Sequence, residues 1–199
     1  MSYSDFTIES LKEGFGIEII EDCTLFPNTS SADIPELLTE LLPRFVPLAI
    51  TISTEKARSE LIIAPILAEF TLQFKEQLSL FSGIDFNVDQ SQGLHGRCDY
   101  ILSRSKEQLM LSAPVLVMVE AKNENITAGI PQCIAEMIAA RLFNEQKHTA
   151  IETVYGAVTT GSLWRFLKFA DNTAYVDMIE YPLQQLDKIM GILTEIVIT

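Results

Sequence analysis

Two acidic residues and a lysine near the middle of the chain have side chains that could together hold a cation. Glu120 and Lys122 follow the apolar run of residues 115–119, and Asp99 lies on the preceding predicted strand. The run is short and rich in valine, which is typical of a strand buried on both faces. Successive side chains alternate across a strand, so Glu120 and Lys122 would share one face. Charges at the end of a buried strand are costly unless they are paired or bind something, so we treat them as a candidate site.

Strand pairing would bring the carboxylates of Asp99 and Glu120 close together, and two close carboxylates favour a cation between them. An all-oxygen ligand set suits Mg²⁺ or Mn²⁺, and the backbone carbonyl of Ala121 would be a third ligand. Lys122 would then orient or activate a water, or stabilise negative charge that develops on a phosphate. The alternative interpretations are structural: Asp99 pairs with an arginine nearby in the chain, and Glu120 and Lys122 form an ion pair at a strand end.

The elements that must position these residues are predicted from apolar periodicity and from turn residues. Residues 1–53 are interpreted as an arm or sub-layer of the same domain, with a short strand over residues 16–21. Asp33 is a predicted N-cap, with a glutamate three residues later and a leucine-rich helical pattern after it. Pro43 and Pro47 are expected to break that pattern again.

A long helical region is predicted over residues 54–81, kinked or divided at Pro65 and ended by Ser82-Gly83. Strands are predicted after it over residues 84–88, 97–102 and 115–122. A helix follows at Gly129-Ile-Pro131, with the proline in its first turn.

The C-terminal part of the chain predicts a buried strand, a hairpin and a closing helix. Their predicted ranges are residues 153–159, 163–169 paired with 173–178 around Asp171-Asn172, and 182–196. Trp164 and Phe166 are interpreted as hairpin core. The order of elements predicts an α/β domain over residues 54–199, with a mixed β-sheet flanked by helices.

Asp99 followed by Glu120-Ala-Lys122, after an upstream helix, resembles the PD-(D/E)XK nuclease superfamily and its restriction-endonuclease-like fold. The resemblance covers about residues 55–170. It implies an α-β-β-β-α-β core and metal-dependent hydrolysis of phosphodiester bonds, in DNA rather than RNA. It also implies that Asp99 and Glu120 bind Mg²⁺ or Mn²⁺ and that Lys122 assists the attacking water.

Two further residues match the family by location. Glu60 on the upstream helix would be another metal ligand, and Gln132 at the start of the next helix would position the water. The alternatives are a solvated helix face for Glu60 and a helix cap for Gln132. Cys98 stands where the family's motif has proline. A second Glu-x-Lys pattern, Glu145-Gln-Lys147, has no buried strand before it and is interpreted as a solvated helix end.

The charge balance bears on the substrate. The chain has 14 basic and 27 acidic residues and a net charge of −13. This charge argues against tight, non-specific nucleic-acid binding, although a local basic groove or a metal could offset it. It motivates a second hypothesis, a catalytically inactive interaction or accessory module on the same fold. A protein partner would then supply targeting. The family resemblance separately implies a homodimer, supported by the hairpin or the closing helix, because two active sites suit double-strand cutting.

The remaining composition argues against several classes of protein. Three widely spaced cysteines without a CxxC pattern argue against a disulfide scaffold and a structural zinc site. No apolar stretch approaches the roughly 20 residues that a membrane-spanning helix needs. The N-terminal residues lack the order of a secretory signal. We therefore expect a cytoplasmic protein with no membrane partner.

Overall fold

An eight-stranded mixed β-sheet organises the chain. The computed structural model describes all residues, 1–199. The strands are β1 (Glu18–Cys23), β2 (Ser79–Asp85), β3 (Arg97–Ser103), β4 (Val115–Ala121), β5 (Val154–Thr159), β6 (Leu163–Ala170), β7 (Thr173–Asp177) and β8 (Tyr181–Pro182). The helices are α1 (Ile8–Phe15), α2 (Glu36–Ile52), α3 (Glu55–Arg58), α4 (Ala64–Gln73), α5 (Ile126–Gln146) and α6 (Leu186–Ile198). The predicted α/β class, with a mixed sheet flanked by helices, is confirmed.

The strand order places β4 inside the sheet. The order is β1-β7-β6-β5-β4-β3-β2, and β8 pairs with β6. β4 and β5 are parallel, as are β1 and β7, and the other pairs are antiparallel. All seven residues of β4 are buried, as its unbroken apolar run predicts. Helix α5 makes the crossover from β4 to β5, so the residues after β4 lead directly into α5.

Each face of the sheet is covered by its own helices. The core on one face contains buried side chains of α2, α4 and α6, together with Trp164 and Phe166 of β6. The core on the other face contains those of α1 and α5. Trp164 and Phe166 are fully buried, so their interpretation as hairpin core is confirmed. The predicted hairpin is also confirmed, with Ala170 paired to Thr173 across its turn.

Residues 1–53 are built into the sheet and both helical layers. β1 is an edge strand parallel to β7, Leu11 of α1 is buried on one face, and Leu38 of α2 is buried on the other. The predicted N-cap at Asp33 is wrong, because α2 begins after Pro35 without a side-chain cap. A residue that precedes proline is disfavoured in the helical conformation, which moves the helix start past Pro35.

The expectation that Pro43 and Pro47 break the helix is also wrong. Both prolines lie inside α2, four residues apart and exposed. Each removes one backbone hydrogen bond on the solvent side. The opposite side of α2 buries Leu38, Leu42 and Ala49, and this packing holds the helix through the prolines.

The predicted helix over residues 54–81 is divided, and its end is wrong. A π-helical turn, Ser59–Ile63, joins α3 to α4 just before Pro65, so the expected disruption at the proline is present. Helix α4 ends at Gln73, and β2 begins at Ser79 rather than at residue 84. The apolar residues at 80 and 81 belong to this strand, and Leu78 directly precedes it. Gly83 lies within β2 and does not end a helix.

Helix α5 begins earlier than predicted. Its N-cap is Asn125, whose side-chain oxygen accepts a hydrogen bond from the Ala128 amide at 3.3 Å. Pro131 therefore lies in the second turn and not in the first. By length and composition α5 could cross a membrane, but 61% of its most apolar window is buried within the fold. Packing against the sheet accounts for that apolar composition.

Candidate active site

Asp99 and Glu120 lie on neighbouring antiparallel strands. Tyr100 of β3 pairs with Val119 of β4, and the Ala121 amide donates to Oδ2 of Asp99 at 2.8 Å. The carboxylate of Asp99 is thus tied to the end of β4, beside Glu120. None of the ion pairs in the structure includes Asp99, so the arginine pairing considered for it is not formed.

Glu120 is the one charged residue of β4, and it is only 2% exposed. Its Oε1 forms an ion pair with Nζ of Lys122, whereas its Oε2 is buried without a hydrogen-bond partner. Burial, and then the charge of Asp99, raise the pKa of Glu120 to about 8, although Lys122 opposes the rise. The carboxyl is therefore poorly solvated, and only one of its two oxygens has a polar partner.

Lys122 leaves β4 and lies along the first turns of α5. A Cβ atom at Gly129 would be 3.0 Å from Cγ and Cε of Lys122 and 2.6 Å from Cγ1 of Val158. The missing side chain at Gly129 thus makes room for the lysine stem. Burial lowers the pKa of Lys122, but the charge and hydrogen bond of Glu120 outweigh burial and the pKa is raised. The ammonium remains charged and is held over the Glu120 carboxyl.

Gln132 and Glu136 extend the site along one side of α5. Nζ of Lys122 donates to Oε1 of Gln132 at 3.2 Å, and Nε2 of Gln132 donates to Oε1 of Glu136 at 3.1 Å. Glu136 is fully buried, and its Oε2 has no partner. Burial, and then the charge of Glu120, raise the pKa of Glu136 well above its usual value. The contacts form a continuous chain Glu120–Lys122–Gln132–Glu136.

Glu136 is the residue that sequence reasoning missed. It follows Gln132 by four residues, so both side chains lie on the same face of the helix. A glutamine and a glutamate at this spacing, in a helix that is otherwise apolar on that face, are the signal that could have found it.

Two buried thiols flank the carboxyl groups. Cys133 of α5 is fully buried, with Sγ 3.9 Å from the carbonyl oxygens of both Met118 and Ala157. Cys98 of β3 is also fully buried. Burial, and then the nearby Glu136, raise the pKa of both thiols above the usual value for cysteine. These cysteines are packed, protonated side chains and not ligands or nucleophiles.

The structure does not bring Glu60 into this cluster. The side chain of Glu60 is 61% exposed and pairs with Lys56 at 3.1 Å, as on a solvated helix face. Glu55, at the start of α3, is the upstream carboxylate whose charge raises the pKa of both Glu120 and Lys122. The structure contains no group of three or more His, Cys, Asp or Glu side chains arranged to hold a metal ion.

The second Glu-x-Lys pattern lies elsewhere. Glu145 and Lys147 are exposed at the end of α5, where Glu145 pairs with Arg141 at 3.0 Å. This is the solvated helix end that the sequence predicts.

The chain matches no protein-family model, and no curated protein matches it.

Proposed function

We propose that the chain is a metal-dependent phosphodiesterase of the PD-(D/E)XK type, acting on DNA more readily than on RNA. The observation that carries the proposal is the convergence of Asp99, Glu120, Lys122 and Gln132 from β3, β4 and α5. Lys122 contacts both Glu120 and Gln132, and Asp99 is held at the same strand end by the backbone amide of Ala121.

The order of elements gives a second line of support. Helix α4 is followed by β2, β3, β4, α5 and β5. This is the α-β-β-β-α-β order that the resemblance implies, with β4 and β5 parallel and the rest of that core antiparallel. We therefore propose the restriction-endonuclease-like fold for this core.

The donor set fits one hard divalent cation. Oε2 of Glu120 is buried and has no partner, and Asp99 uses only Oδ2 in its hydrogen bond with the Ala121 amide. Carboxylate oxygens are the ligands that Mg²⁺ and Mn²⁺ prefer. Such a cation, when bound, would offset phosphate charge and make a bound water more acidic. Glu60 is left out of this proposed ligand set because it pairs with Lys56 on an exposed helix face.

Side chains of the protein would stabilise the phosphate charge and orient the attacking water. Lys122 keeps a positive charge at the site and would stabilise negative charge that develops on the phosphate. Gln132 accepts a hydrogen bond from Lys122 and would help to orient the attacking water. The net charge of −13 makes this local positive charge important, because the rest of the surface repels a phosphate backbone.

A second candidate function is a catalytically inactive module on the same fold, bound to a protein partner. The ion pair of Glu120 and Lys122 favours it, since the two side chains are only 3% and 21% exposed. An ion pair that is formed without any ligand can be purely structural. The two functions differ in whether a cation and a phosphate have any effect at the site.

Two measurements on the purified protein decide between them. The first is thermal unfolding with and without Mn²⁺, and the second is cleavage of single- and double-stranded DNA in Mg²⁺ or Mn²⁺. We expect Mn²⁺ to raise the unfolding temperature of the wild type by mass action, and not that of Asp99→Asn. We expect Lys122→Met to abolish cleavage, whereas Lys147→Met, in the exposed copy of the same pattern, leaves it unchanged. No effect of Mn²⁺ together with no cleavage would favour the inactive module.

A further inference from the structure

Glu136 has no evident value for the fold itself. It is a fully buried carboxyl in an apolar helix, and one of its oxygens has no hydrogen-bond partner. A buried polar atom without a partner lowers stability, whereas an apolar side chain of similar shape would not. The one polar contact that Glu136 makes is with the amide of Gln132. Any specific role of the Glu136 carboxyl must therefore act through Gln132.

The chemistry of the two neighbours fixes which way the Gln132 amide faces. A lysine ammonium can only donate hydrogen bonds, so the end of Gln132 beside Lys122 must be the carbonyl oxygen. The NH₂ end then needs an acceptor, and Oε1 of Glu136 is that acceptor. With Glu136 present, both ends of the amide are satisfied in one orientation only.

The two neighbours differ in how firmly they are held. The Lys122 side chain is 21% exposed and has a flexible four-carbon stem, so a substrate phosphate could draw it away. Glu136 is fully enclosed between α5 and the sheet. The enclosed carboxyl is thus the fixed end of the series, and it would hold Gln132 in place when Lys122 moves.

We propose that Glu136 is a positioning residue, which holds the Gln132 amide with its carbonyl oxygen toward Lys122. The consequence for catalysis rests on the proposed phosphodiesterase function, but the orientation of Gln132 does not. A merely structural role for Glu136 would affect stability alone, and this difference makes the proposal testable.

The test compares Glu136→Met with Glu136→Gln. Methionine has a similar shape and offers no oxygen, whereas glutamine keeps an oxygen that can accept from Gln132. We expect Glu136→Met to unfold at the same or a higher urea concentration than the wild type. In the same variant, the side-chain NH₂ signals of Gln132, in ¹⁵N-labelled protein, should shift and exchange faster with solvent. Cleavage should fall about tenfold, the effect of one lost hydrogen bond. Glu136→Gln should restore both the signals and most of the rate.

Met137→Leu is the matched control, because it changes a buried neighbour on the same helix without removing a polar contact. The Gln132 signals should not change in it. If they are also unchanged in folded Glu136→Met, the positioning role is overturned whether or not the protein cleaves DNA. If the wild type fails to cleave but the signals behave as expected, the phosphodiesterase proposal alone fails. Should Glu136→Met not fold, Glu136→Ala makes the same comparison with a smaller side chain.

Discussion

Replacement of Glu120 by glutamine should stabilise the protein, and the gain should grow with pH. The pKa of Glu120 rises from 4.5 to about 8 in the folded protein, chiefly through burial. One pKa unit corresponds to about 1.4 kcal/mol, so ionised Glu120 lowers the free energy of unfolding by about 5 kcal/mol well above pH 8. Glutamine has nearly the same shape and never ionises.

The sign follows from which state binds the proton more tightly. The folded pKa lies above the unfolded one, so the stability that protonated Glu120 contributes is complete below pH 4.5 and is lost as pH rises through 8. At pH 5 the loss is less than about 1 kcal/mol, and at pH 8 it is about 4 kcal/mol. Glu120→Gln should therefore gain about 3 kcal/mol over the wild type between these two pH values.

Urea unfolding at pH 5 and at pH 8, without divalent cations, measures this difference directly. Glu145→Gln, on the exposed end of α5, is the control and should change the free energy of unfolding by less than about 1 kcal/mol at either pH. The reasoning is refuted if Glu120→Gln is less stable than the wild type at pH 8. It also fails if the difference between the two proteins is the same at both pH values.

The remaining predictions concern packing and the extent of the site. Gly129→Ala should destabilise the protein by about 1–3 kcal/mol in urea and reduce cleavage, because its Cβ would overlap Val158 and crowd Lys122. Equal or greater stability would show that both Val158 and Lys122 can move aside. Asn144→Leu should cost about 2–4 kcal/mol in the same assay, since the Asn144 side chain accepts from the Val115 amide at 2.7 Å and donates to its carbonyl at 2.8 Å. Glu60→Gln should change the unfolding free energy by less than about 1 kcal/mol and leave the cleavage rate unchanged; a large loss of cleavage would return Glu60 to the site.

The parts of the fold that the sequence predicts well are those in which local pattern and final burial agree. The apolar run before Glu120 is a strand because β4 is buried on both faces. The hairpin after Leu163 is present because two largely buried segments flank a turn at Asp171-Asn172. Asp99 and Glu120 are adjacent because β3 pairs with β4. The part of the site that lies on these two strands could therefore be predicted from the sequence.

The contribution of the upstream helices to the site depends on helix geometry, which the sequence pattern does not show. The π-helical turn at Ser59–Ile63 changes the number of residues per turn, so counting at 3.6 residues does not show which upstream carboxylate faces the strands. The family resemblance implies Glu60 by its location on the upstream helix, whereas Glu55 is the upstream carboxylate whose charge acts on Glu120. Pro43 and Pro47 show the converse case, in which packing of the opposite helix side overrides a local signal.

The enclosed thiol of Cys133 gives this protein a reporter of its own motions. Sγ lies against carbonyl oxygens of β4 and β5, and a Cβ at Gly156 would be only 2.7 Å from it. An alkylating reagent can reach Cys133 only when α5 separates from the sheet. The rate of its modification in native buffer therefore gives the free energy of that opening, without denaturant. The same separation dismantles the contacts of Gln132 and Glu136, so one label would report how often the candidate site is disassembled.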